Sequence, residues 1–322
     1  LRRAQDGRGL TRPELAVLLS HGKLALQDAI EQTDIADCPS LEPLLLAQFP
    51  EAMRTRFRAA LTTHRLRGAL IATAMANRIV NRLGVVMPFE LAEEAGASLD
   101  RIGTVYFAAD AIFGLDPLWQ AIETADLAES ERLALLDRAA AATRRHLADL
   151  LRATRSDTLP GAIAERLSPG IARLAAAQGG CEDAPLADRI ARLEALDGAV
   201  GIAGLALTLG VDEIAATTAY TRLGAALGLD WASAAALAFA SPDPWERLLV
   251  AGLIRDFEQL RLDFLERRGD GDPVAAIDAW LLAQEPRVAQ FRQAVERART
   301  VTTPNAAMLA HLASQARILL SQ

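Results

Sequence analysis

The chain has 322 residues, 51% hydrophobic but only 5% aromatic, with 34 basic and 41 acidic side chains and a formal net charge of -7. That length suits one large domain or two small ones, and a mix dominated by alanine and leucine favours helices over sheets. The charges are spread along the chain without a basic arm or stripe, which argues against a nucleic-acid partner. The longest apolar run, Ala199 to Val211, is too short to span a bilayer, which argues against a membrane.

The first strong signal is "GLTRPELAVLLS", Gly9 to Ser20. Thr11 and Glu14 have capping-box spacing, Pro13 sits where a first-turn proline costs nothing, and Leu10 and Leu15 occupy the positions of a hydrophobic staple. Leu15, Leu18, Leu19, Gly22, Leu26 and Ala29 continue at helical spacing, so a helix is expected from about Thr11 to Gln32. A well-capped helix start accounts for these residues without a catalytic role.

Further helical patterns follow at about 50–62, 65–82, 88–96, 98–113, 117–124, 129–155, 161–177, 184–196, 200–209, 211–227, 231–240, 243–267, 273–283, 286–301 and 304–320. Asp116-Pro117, Ser168-Pro169, Ser241-Pro242, Asp243-Pro244, Asp272-Pro273 and Thr303-Pro304 each pair a capping residue with a proline and read as helix starts. No stretch alternates like a strand. The expected class is all-α, a multi-helix array or bundle.

An internal repeat emerges when Gly96–Asp116 is laid over Gly210–Asp230 without a gap. Gly96/Gly210, Thr104/Thr218, Tyr106/Tyr220, Ala111/Ala225, Gly114/Gly228, Leu115/Leu229 and Asp116/Asp230 are identical, and "ERL" recurs at Glu131 and Glu246. The closing Gly-Leu-Asp reads as a helix stop, a packing leucine and an aspartate capping the next helix. The alternative is chance similarity among Ala- and Leu-rich helices. The repeat reading gives two tandem helical units of about 110 residues, 49–158 and 159–268, after an entry helix and loop at 11–48. A C-terminal helical hairpin occupies 269–322.

Site chemistry is sparse. Gly198, Gly201 and Gly204 are spaced three apart with no strand before them, so they do not make a dinucleotide fingerprint. His21, His64, His146 and His311 are scattered, with no metal-ligand spacing. Lys23 is the sole lysine, so chemistry needing two lysine amines has no basis here. Cys38 and Cys181 stand in no motif, and with no signal-peptide pattern a reducing cytoplasm is the expected compartment. In "ANRIVNRLG", Asn77 and Asn81 share one helix face and Arg78 and Arg82 another. They are either a docking face or buried polar network, or a solvated face. On residues alone the chain reads as a helical interaction or scaffold module. An enzyme whose site forms by convergence of distant residues is the other class open.

"RRAQDGRGLTRPELAVLLSHGKLAL", "ANRIVNRLG" and the "GLDW" half resemble the C-terminal region of the large bacterial NAD-specific glutamate dehydrogenases, and the resemblance covers essentially the whole chain. It implies a parent polypeptide that oxidatively deaminates L-glutamate with NAD, an upstream catalytic domain, and a cytoplasmic homo-oligomer. Residues 1–10 would then be a connector from that domain, and a first residue other than Met is expected of a piece of a longer polypeptide. With one lysine and no fingerprint, no catalytic, NAD-binding or metal residue is carried over, and no cofactor is assigned to this fragment. The expected role is bracing, assembly or regulation, against a free-standing helical-repeat adaptor. Arg2, Arg3, Asp6, Arg8, Arg12, Glu14 and Lys23, dense beside an already capped helix, are the expected docking face toward the catalytic domain.

Overall fold

Backbone hydrogen bonding begins where the cap signals place it. In a computed structural model, which describes residues 9–155, 157–179, 184–269 and 271–321, Thr11 is the N-cap of α1 (Arg12–Glu31). The Glu14 carboxylate accepts from the Thr11 N–H at 2.8 Å and from its hydroxyl at 2.6 Å. From there the described chain is helical, with no strand among the described residues. It divides into two compact units, Leu1–Asp197 and Gly198–Gln322. Among the described residues, no single helix is long and apolar enough to cross a membrane.

The first unit holds α1, α2 (Glu42–Leu46), α3 (Glu51–Arg56), α4 (Arg58–Thr62), α5 (Arg67–Leu83), α6 (Met87–Ala95), α7 (Leu99–Phe113), α8 (Leu115–Thr124), α9 (Glu129–Ala153), α10 (Pro160–Ala177) and α11 (Leu186–Ala195). The helix expected at 50–62 is two short ones, because Phe57 leaves helical geometry between them. Helix α7 is the centre: Arg101 through Ala109 are all buried, and α1, α5, α6, α9 and α10 pack around it. A helix covered on every side needs a partner for any charge it carries. Arg101 finds one in the α9–α10 connection, donating to the Thr158 carbonyl at 3.2 Å and pairing with the Thr154 hydroxyl. Burial pulls its pKa down, and nearby Asp100 and Asp157 offset part of that.

The apolar stripe expected on α1 is covered only in its second half. Leu26 and Ile30 are fully buried, and a Cβ on Gly22 would stand 2.8 Å from Val85 Cγ2. Leu15, Val17, Leu18, Leu19 and Leu24 are exposed. Periodicity marks the side of a helix that wants burial; it does not supply the surface that buries it.

The second unit holds α12 (Ala199–Leu209), α13 (Glu213–Leu227), α14 (Leu229–Leu237), α15 (Pro244–Glu266), α16 (Pro273–Ala283), α17 (Glu285–Arg299) and α18 (Ala306–Leu320). Its long α15 packs on α12, α13, α14 and α18, burying Val250, Leu253, Phe257, Phe264 and Leu265.

Of the proline-marked helix starts, two hold as read: Asp243 accepts from the Trp245 N–H and Asp272 from the Val274 N–H, each at 2.9 Å. Ser241-Pro242 instead forms a lead-in, in which the Ser241 hydroxyl accepts from the Asp243 N–H at 3.1 Å. At Thr303-Pro304 the cap is Asn305, two residues later, which accepts from the Met308 N–H at 2.9 Å. Ser168-Pro169 lies inside α10. Pro169 and Glu165 are on the exposed face, so water can serve the carbonyl that lost its donor.

The repeated segments are alike in detail. Helices α7 and α13 both end at a left-handed glycine, Gly114 (φ +62°) and Gly228 (φ +75°), followed by a fully buried leucine, Leu115 and Leu229. The aspartate that follows is not the next N-cap, as expected, but a first-turn residue, because α8 and α14 start at the leucine itself. The "ERL" arginines act alike too. Arg132 donates to the carbonyls of Ile122 and Ala125 at 2.9 and 3.1 Å, and Arg247 to those of Ser241 and Pro242 at 2.9 and 3.0 Å. Each ties down the loop before its own helix.

Candidate functional site

Helix α5 presents Arg78 and Arg82 one turn apart. Helix α7 brings Tyr106 and Asp110 to meet them, also one turn apart, and the first turn of α8 adds Asp116. Arg78 Nη1 donates to Asp110 Oδ2 at 3.2 Å, and its Nη2 lies 3.8 Å from Asp116 Oδ2. Arg82 pairs closely with Asp116 Oδ1 and donates to the Tyr106 hydroxyl oxygen at 3.3 Å. Asp110 Oδ1 accepts the Asp116 backbone N–H at 2.6 Å, satisfying a donor that the first turn of a helix leaves without an intrahelical partner. Aromatic faces close the flanks: the Arg78 guanidinium lies 5.7 Å from the Phe107 ring and that of Arg82 6.0 Å from Trp119.

Electrostatics follow from burial. Burial pushes the Tyr106 phenol up to about 12 against the pull of Arg82, and it raises Asp110 against the pull of Arg78. For Arg82 burial acts downward, but Tyr106 and Asp116 outweigh it, and the guanidinium ends above its ordinary value. Two cations balance two anions, and the phenol stays neutral. The cluster is a clamp on α5, α7 and α8.

Asn77 and Asn81 stand outside it. Asn81 is exposed and Asn77 half-buried, and neither side chain hydrogen-bonds another described residue. Tyr106, Asp110 and Asp116 were not singled out as site residues from the sequence. The signal for two of them was the repeat, since Tyr106 and Asp116 are among its identical positions.

The second unit carries the corresponding pair, Tyr220 and Asp230, with an arginine from α15. Arg261 Nη1 donates to Asp230 Oδ1 at 2.7 Å, Nη2 to the Ser233 hydroxyl at 3.4 Å and Nε to the Phe257 carbonyl at 3.1 Å. Its guanidinium lies 4.0 Å from the Tyr220 ring centroid. The place of Asp110 is taken by Gly224, where a Cβ would stand 2.7 Å from Arg261 Nη1.

Other titratable groups are placed as follows. His146 is buried on α9, stacked 4.1 Å from the Phe113 ring, with Nε2 2.9 Å from the Leu193 carbonyl. Nε2 therefore donates, and Nδ1 has no partner among the described residues. Burial pushes its pKa down to about 4. No group of three or more potential metal ligands converges among the described residues. Of the expected docking face, Arg2, Arg3, Asp6 and Arg8 lie outside the described residues. Arg12 is exposed and Lys23 half-buried on α1, and Glu14 serves the cap of α1. Cys181 also lies outside the described residues; Cys38 is a buried free thiol.

The glycines at 198, 201 and 204 do not form a dinucleotide loop. No strand leads into the glycines at 198, 201 and 204, and a Cβ on Gly201 would stand 2.7 Å from Leu262 Cδ1. That glycine serves the crossing of α12 and α15.

Comparison with known proteins places the chain. An NAD-specific glutamate dehydrogenase of Mycobacterium tuberculosis is 38% identical over 145 residues, 45% of this chain and 9% of that protein. One from Halomonas elongata is 35% identical over 126 residues, 39% of this chain and 8% of that protein. One from Pseudomonas aeruginosa is 24% identical over 335 aligned positions, which take in 96% of this chain but 21% of that protein. The chain thus spans about a fifth of the relative that it matches nearly end to end. Residues 7–181, and again 177–317, match the family described as glutamate dehydrogenase, C-terminal, and the chain belongs to that family.

Proposed function

We propose that this chain is a non-catalytic C-terminal helical region of an NAD-dependent glutamate dehydrogenase, and that it braces the catalytic part of the same polypeptide, with a role in assembly or regulation. The parent reaction is oxidation of L-glutamate by NAD, with water, to 2-oxoglutarate, ammonia and NADH. NAD belongs to the upstream catalytic domain, and the parent works as a cytoplasmic homo-oligomer. The observation that carries this reading is the family match over both segments of the chain. That the same family matches twice, with the shared Tyr/Asp pattern, also supports a tandem arrangement of two helical units.

The docking face toward the catalytic domain is the first half of α1. Leu15, Leu18 and Leu19 are exposed there on one helix, beside Arg12 and Glu14. A contiguous apolar face of this kind, rimmed by charge, is a contact surface for another folded body. The test uses the full-length enzyme. Charge reversal at Arg12 and Glu14, and Leu18→Ser with Leu19→Ser, should lower specific activity or the mass of the assembly. Unchanged kinetics with unchanged mass would remove the docking reading. The chain alone, mixed with glutamate and NAD, should give no NADH absorbance, and sustained turnover would overturn the non-catalytic assignment.

A further inference from the structure

Helices α17 and α18 pack against each other and leave a groove of about 400 Å³, lined by Arg287, Gln290, Phe291, Arg297, His311 and Gln315 among others. Among the described residues, no carboxylate lines it. Helix α17 carries four arginines in "EPRVAQFRQAVERAR", and they divide into two kinds. Arg292 donates to the Ala226 carbonyl at 2.6 Å. Arg299 pairs with Glu296 at 2.7 Å and covers the Trp231 ring. Arg287 and Arg297, the two in the groove, make no ion pair or side-chain hydrogen bond with any described residue.

In a chain with 41 acidic residues against 34 basic ones, this groove gathers two guanidiniums and no carboxylate among its described lining residues. Each guanidinium is free to pair with an anion, and a ligand seated between them can meet both. We propose that the α17/α18 groove binds a small polyanion, a molecule carrying at least two carboxylate or phosphate groups. The planar fork of each arginine suits the oxygens of either group. Gln290 and Gln315 add amide donors, and Phe291, buried at the groove wall, takes the ligand's carbon skeleton. The volume falls in the range of small-molecule clefts. Along the helix the two arginines stand about 15 Å apart, which favours charge at two points of one ligand over a monoanion.

The test is calorimetric titration of the purified chain with tricarballylate, for carboxylates, and with pyrophosphate, for phosphates. Each is compared with sodium chloride at matched ionic strength. Saturable binding of at least one is expected, and the two arms show which oxyanion the groove prefers. Arg287→Gln and Arg297→Gln should each weaken binding by at least about tenfold, from the loss of a charged hydrogen bond. Arg299→Gln, outside the groove, should leave it unchanged, and circular dichroism checks that all three variants fold. Absence of binding beyond the salt control, or undiminished binding by the double variant, would overturn the assignment.

Discussion

Tyr106 and Asp116 in the first unit correspond to Tyr220 and Asp230 in the second, yet each pair takes its arginine from a different direction along the chain. Arg82 arrives from α5, which precedes the pair, and Arg261 from α15, which follows it. The position between them in sequence separates the two solutions. Asp110 holds a second arginine, Arg78, on the α5 side. Gly224, at the same place, leaves the space that the paired Asp230 carboxylate and Arg261 Nη1 occupy. A Tyr/Asp pair on a buried helix therefore creates a demand for a guanidinium, and one residue helps to decide which neighbouring helix can meet it.

The largest expected effect probes that asymmetry. The Arg82 side chain is 9% exposed and its Asp116 partner 26%, so Arg82→Met leaves Asp116 in a mostly dry site with only the longer Arg78 contact, at 3.8 Å. A loss of about 3 to 4 kcal/mol is expected in urea unfolding of the chain. Asp230 is 47% exposed, and water can re-solvate it, so Arg261→Met should cost about 1 kcal/mol. Equal losses would mean that the two clamps are energetically one device.

A second difference is acid sensitivity. His146 belongs to the first unit, and its folded pKa of about 4 lies below the ordinary 6.5. Between those values the unfolded chain binds more proton than the folded one. Its contribution is therefore complete above about pH 6.5, falls as pH drops toward 4 and levels off below, by up to about 3 kcal/mol. His146→Gln should flatten that part of the stability profile. Hydrogen exchange across α9 and α11 at pH 7 and pH 5 would localise it, and an unchanged slope in the variant would assign the acid sensitivity to other groups.

The most local effect comes from a single glycine. Gly224→Asp copies the first unit's residue into the second, where its Cβ meets the Asp230 carboxylate and then Arg261 Nη1. Overpacking of this kind should cost about 2 kcal/mol. Adding Asp230→Ala to it should recover part of the loss, since that removes the side chain nearest to the new Cβ. A purely additive double variant would mean that the Asp230–Arg261 pair is not what keeps Gly224 small.

Local chemistry made much of this legible in the sequence. Thr11, Pro13 and Glu14 mark the start of α1, and Gly114 and Gly228 mark helix ends, because capping and left-handed stops act within one turn of backbone. The repeat went further and picked out Tyr106, Tyr220, Asp116 and Asp230 before any of them had a partner. What remained hidden was long-range. Asp110 looks like any helical aspartate, and the spacing that singles out Arg78 and Arg82 leaves a docking face, a buried polar network and a solvated face all open. Their partners lie 32 and 34 residues away in sequence.

By itself, then, the sequence determined the helical class, most helix starts and stops and the recurrence of a pattern, since these depend on backbone donors, side-chain spacing and composition. Only the tertiary structure decided which arginine serves each Tyr/Asp pair, why Gly224 must be small, and that Leu15, Leu18 and Leu19 on α1 stay exposed while Leu26 is buried. Those outcomes depend on which helices come within a few ångströms of one another, and amphipathic spacing carries no record of the neighbour that will cover it.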